Sequence, residues 1–125
     1  MNIWIFSSGL LAFFTTVVHI FAGQIDPIRP FLKSDLADVP KATLLACWHM
    51  VSVMLMTSAL GTLYVGWFGM MEYHLVVLLL GYLHVAFTGV FLLVGWCFFG
   101  IRALITLPQW LLLLPIGALA IVGAT

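Results

Sequence analysis

Four long apolar stretches divide the chain, near residues 3–23, 42–70, 73–100 and 103–124. A helix needs about 20 consecutive apolar residues to cross a hydrocarbon layer of about 30 Å, and each stretch meets that length. The expected fold is therefore all-α: an integral membrane four-transmembrane-helix bundle with up-down topology, forming one domain over residues 1–125. Composition agrees, since 65% of residues are hydrophobic and only 6% charged, which excludes an ordinary water-soluble domain and a disordered chain. Four Lys and Arg balance four Asp and Glu. No basic patch, acidic tail or glycine-rich phosphate loop is present, so nucleic acid and nucleotides are not expected partners.

The first stretch has no Lys or Arg before it and is too long for the h-region of a signal peptide, so it reads as a span rather than a cleaved leader. Between the first two stretches lies a polar loop, residues 24–41, holding six of the eight charges and three of the five prolines. Its X-Pro steps favour extended or turn backbone, and Asp38 followed by Pro40 is a start signal for the second helix. Gly66 and Gly69 allow a tight turn into the third helix, making the second and third an antiparallel hairpin. Thr106 and Pro108 mark a start or a break in the last segment, and Pro115 is a kink site.

With four spans, loop 24–41 and Arg102 share one face, which then carries every Lys and Arg. The positive-inside rule makes that face cytoplasmic and puts both termini outside, as in a bacterial inner membrane. Trp4, Trp67, Trp96 and Trp110 fall near helix ends, the level of an aromatic belt, and Arg29 and Lys33 are placed to meet lipid phosphates. Cys47 and Cys97 lie in the half nearer that face and are expected as free thiols.

The chemistry of such a chain rests on its histidines. At about 100° per residue, His19 shares a face with Ser8, Ala12, Thr15, Thr16 and Gly23, and His84 with Gly81, Thr88 and Gly95. Small residues let membrane helices approach closely, so both stripes should face the bundle interior. His49 shares its face with Leu45, Ser52, Val53, Met56 and Leu60 and is expected inward as well. His74 follows Glu72 and reaches the interface. An ionisable group inside a membrane is a functional candidate, although a neutral imidazole is also satisfied by an interhelical hydrogen bond.

As ligands, His19, His49 and His84 suggest two chemistries: axial ligation of a b-type haem by two of them, or one copper or zinc ion shared by all three. Trp48 could lie against a flat cofactor, and Thr88 with a histidine could hold a quinone headgroup. The candidate cofactor-binding set is thus His19, His49, His84, Trp48 and Thr88. No CxxCH, HExxH or ExxH motif is present, and Cys47 points about 160° away from His49 on a helix. Ser7, Ser8, Ser52 and Ser58 have no His-acid partner set, so no catalytic residue is assigned and an enzyme is not expected.

The segment His19-Ile-Phe-Ala-Gly23-Gln24, a loop with Pro30-Phe31-Leu32, and then Ala46-Cys47-Trp48-His49-Met50 carry a family resemblance. Together they resemble small uncharacterised four-helix bacterial membrane proteins with a His-Ser-x-x-Gly-Glu motif and a Trp-His motif. The resemblance spans about the first 55 residues and implies that His19 and His49 form a linked pair. Gln24 stands where that pattern has Glu, which removes any role needing a carboxylate.

Three functions suit this inventory. The first is a non-catalytic subunit or assembly partner of a larger membrane complex, or a self-assembling homo-oligomer. The second is a haem-, metal- or quinone-binding membrane protein, and the third a small dimeric transporter.

Overall fold

The computed structural model describes residues 1–125 and is all-helical, without a strand. The main helices are α1 (Ile3–Gly23), α3 (Asp38–Phe68), α4 (His74–Phe99) and α6 (Trp110–Ala124); α2 (Arg29–Leu32) and α5 (Ala103–Thr106) are single turns. Three helical segments, Ile3–Leu32, Asp38–Phe68 and Met71–Thr106, are long and apolar enough to cross a membrane, whereas α6 has 15 residues.

Two boundaries differ from the sequence expectation. The polar loop 24–41 is mostly helical: α1 runs through a π-type turn, Gln24–Ile28, into α2, and α3 begins at Asp38. Prolines fit there because a first helical turn needs no N–H donor, and Pro30 occupies that position in α2. The last apolar stretch is broken at Leu107–Gln109, around Pro108, into α5 and α6. The Trp110 Nε1–H spans the break and donates to the Leu104 carbonyl at 3.0 Å. Pro115, by contrast, lies inside a continuous α6.

The helices are arranged in the order α3, α1, α6, α4. Their directions follow from paired contacts. Gly9 lies against the Leu63 backbone and Gly23 against the Trp48 indole, so α1 and α3 are antiparallel. Ser8 donates to the Ile116 carbonyl and Asn2 to the Gly123 carbonyl, so α1 and α6 are antiparallel too. The fourth helix runs against α6, with Gly81 facing Gly117. The expected hairpin of α3 and α4 is antiparallel, but its two helices scarcely touch. The tight contacts of α3 go to α1 and those of α4 to α6, where glycines let backbones approach.

Inward positions recur at alternating intervals of three and four residues, the period of a coiled-coil seam. On α3 they are Trp48, Ser52, Leu55, Ala59, Thr62 and Gly66; on α4, Val77, Gly81, His84, Thr88 and Gly95. One apolar layer takes a residue from each main helix: Ile5, Val65, Val77 and Ala120. The next contains Ala12, Ala59 and Ile116, and the α4 position two turns on from Val77 is His84.

Candidate functional site

The interior is unusually polar for so apolar a chain. Beside eleven buried hydrophobic residues stand seven buried polar ones: Ser8, Thr15, Thr16, Ser58, Thr62, His84 and Thr88. They come from α1, α3 and α4, while α6 contributes only apolar and glycine positions. By helical register Ser8 and Thr62 lie beside the Ile5 layer, Ser58 and His84 at the Ala12 layer, and Thr15, Thr16 and Thr88 about one turn further. Continuing along α1, His19 and Ser52 follow. A seam of hydroxyls and two imidazoles thus runs along the bundle from its His19 end and stops under the apolar Ile5 layer.

Three of the six buried hydroxyls bond within their own helix. Thr16 donates to the Ala12 carbonyl at 2.8 Å, Ser58 to Leu55 at 3.0 Å and Thr88 to His84 at 3.0 Å. That is the local solution open to Ser and Thr in a membrane-type helix. Two atoms are different: Thr15 Oγ1 and His84 Nε2 are buried without a hydrogen-bond partner in the chain. His84 is 2% exposed, and its Nδ1 lies 2.8 Å from the Leu80 carbonyl oxygen. A carbonyl only accepts, so Nδ1 carries the proton and Nε2 presents a bare lone pair to the interior.

At the other end of the seam His19 stacks on Trp48, with ring centroids 4.0 Å apart and planes 18° from parallel. His19 Nε2 lies 3.0 Å from Ser52 Oγ, and the Ser52 hydroxyl donates to the Trp48 carbonyl at 3.1 Å. With that hydroxyl proton committed, His19 Nε2–H is the donor. Gly23 makes the stack possible: a Cβ there would run into the Trp48 ring.

The structure therefore sorts the five candidate residues into two groups and an outlier. His19 meets Trp48, and His84 meets Thr88. His49 stands apart, exposed on the outer side of α3. The expected inward orientation of His49 gives way because the inward stripe of α3 passes through Trp48 and Ser52, roughly 60–100° away from it. It is the tryptophan of the Trp-His pair, not the histidine, that reaches His19.

No group of three His, Cys, Asp or Glu side chains lies close enough to hold a metal ion. His19, His49 and His84 do not converge, so they do not fit one shared copper or zinc. Nor do they fit a haem held between two helices, because the His19 ring is covered by Trp48 and bonded to Ser52 while His49 points outward. Thr88, expected to hold a quinone headgroup, is buried, and its hydroxyl is committed to the His84 carbonyl. Cys47 and Cys97 are both exposed free thiols.

Two polar residues escaped the sequence reading. Asn2 caps α1, its Oδ1 accepting from the Trp4 and Ile5 amides, while its Nδ2 donates to the Gly123 carbonyl at 2.7 Å and its backbone N–H to Gly66 at 2.8 Å. One residue, through its side chain and its backbone N–H, thus ties the ends of three helices. Its signal was an Asn immediately before an apolar run. Thr62 could have been placed by its spacing from Leu55, Ala59 and Gly66. No protein-family model, curated protein or solved structure matches the chain.

Proposed function

We propose that the chain is an integral bacterial inner-membrane protein of four spans, acting as a non-catalytic interaction subunit of a larger membrane assembly or of its own homo-oligomer. The 24–41 segment and Arg102 lie on the cytoplasmic side in this reading, with both termini outside. Its membrane part is supported by an exterior rich in exposed Leu, Val, Ile and Phe. Aromatic residues also mark both ends of α4: Tyr73 and Trp96 stand roughly 34 Å apart along the helix, close to the thickness of a hydrocarbon core.

The observation that carries the interaction role is the open side of the bundle. Between α3 and α4 runs an apolar cleft lined by Gly61, Tyr64, Val76 and Leu80 among others. Gly61 has nothing within 4 Å of where a Cβ would stand, so a further helix can approach the α3 backbone there. The cleft suits a helix of a partner membrane protein or of a second copy.

The test is cross-linking in native membranes, with Cys47 and Cys97 replaced by Ser and a single cysteine introduced by Tyr64→Cys. The expected result is one discrete adduct that Gly61→Leu abolishes without lowering the yield of the protein. Cross-linking no greater than from Leu93→Cys, on the outer surface of α4, counts against the role.

A second reading, a small dimeric transporter, is favoured by the buried polar seam on which His84 lies. It predicts that His84→Phe removes solute-driven or proton flux in proteoliposomes, whereas His49→Phe leaves it intact.

A further inference from the structure

At Asp26 the backbone leaves the helical path (φ −146°, ψ 117°), and the kink between α1 and α2 forms an elbow. On its outer side lies an open concavity of about 590 Å³, lined by Ile20, Phe21, Ala22, Gln24, Ile25 and Arg29. Phe21 and Ile25 are 70% and 63% exposed, so the α1 arm offers an apolar wall. Arg29 on the other arm is exposed, and its guanidinium forms no ion pair within the chain. Lys41, in contrast, is engaged with the Ser34 carbonyl at 2.9 Å. A guanidinium is permanently charged and presents a planar fork of donors that matches phosphate oxygens.

The apolar wall of Ile20, Phe21 and Ile25 lies before the bend and the Arg29 guanidinium beyond it, so one concavity offers both an apolar surface and a cation, as an acyl chain and a headgroup phosphate require. We propose that this elbow holds one anionic phospholipid, its phosphate on Arg29 and an acyl chain along Ile20, Phe21 and Ile25. No carboxylate lines the concavity to receive a choline ammonium, so charge complementarity favours phosphatidylglycerol over phosphatidylcholine. Because the apolar wall and the fork are both used, the ligand is a lipid rather than free phosphate. The site rests on the membrane reading above.

The full chain is reconstituted with equal phosphatidylglycerol and phosphatidylcholine of matched chains, extracted in mild detergent and weighed by native mass spectrometry. Phosphatidylglycerol should remain bound about fivefold over phosphatidylcholine, the preference conferred by one basic residue at an anionic headgroup. Arg29→Gln should bring the two lipids level, Phe21→Ala should reduce retention of both, and Lys33→Gln should leave the preference in place. Alkali-resistant flotation with phosphatidylcholine vesicles is measured for the wild type and each variant. A wild-type chain that fails to float overturns the membrane reading and the site together. One that floats but retains both lipids equally, or whose preference survives Arg29→Gln, overturns the site alone.

Discussion

His84 combines complete burial with an uncommitted ring nitrogen, and its substitution separates packing from polarity. Leucine is close to histidine in volume, and the Leu80 carbonyl keeps its helical partner, so His84→Leu should hold stability within about 1 kcal/mol. His84→Ala leaves a cavity and should cost about 3 kcal/mol, read as a lower midpoint of thermal unfolding in mild detergent. At Asn2 the side chain itself does the work: Asn2→Ala loses the cap and the bond to Gly123, an expected cost of about 1–2 kcal/mol by the same measurement. The two α1–α3 histidines should diverge. His19→Ala loses its stack and the Ser52 contact and should cost about 1 kcal/mol, whereas exposed His49→Ala should stay within about 0.5 kcal/mol.

In the proposed membrane setting, helix association depends on close backbone approach rather than on bulk apolar burial, since lipid tails are as apolar as leucine. The α4–α6 contact illustrates this. A Cβ on Gly117 would stand 2.7 Å from the Gly81 carbonyl oxygen, which no side-chain rotation relieves. Gly117→Leu should therefore separate the two helices and lower stability by about 2 kcal/mol or more, whereas Gly89→Leu, with open space around it, should not. Comparative unfolding of the two variants in detergent checks this directly. The short α6 fits the same account, because its buried face of Leu113, Ile116, Gly117, Ala120 and Gly123 serves two neighbours at once. It is the central helix with α1, although its 15 residues cover only about 22 Å.

In the proposed four-span reading, both termini lie on one side of the membrane and all four basic residues on the other. Alkaline phosphatase fused after Thr125 should be active and fused after Lys33 inactive. An inactive fusion after Thr125 would show that α6 does not cross, a sharp test for a helix shorter than the core it must span. The bundle is also asymmetric in a way that bears on its role. Three of its four sides are closed by helix contacts and the α3–α4 side is open.

The apolar runs, their period and the grouping of charges determined the helical class and the approximate extent of the first three long helices. They also determined the inward stripes of α1 and α4, because there most of the small and polar residues lie on one face and leave a single stripe to bury. On α3 two adjacent stripes share Ser52, and only contact with α1 decided that Trp48, not His49, lies inside. Pairing was likewise decided in three dimensions. Nothing in the short Gly69 turn shows that α3 turns to α1 and α4 to α6, since that choice depends on which glycines meet which backbones. The elbow at Asp26 was hidden for a related reason: proline and charge mark a loop, while the helical turn around them exists because the chain must re-enter the bundle at Ile28, which is buried.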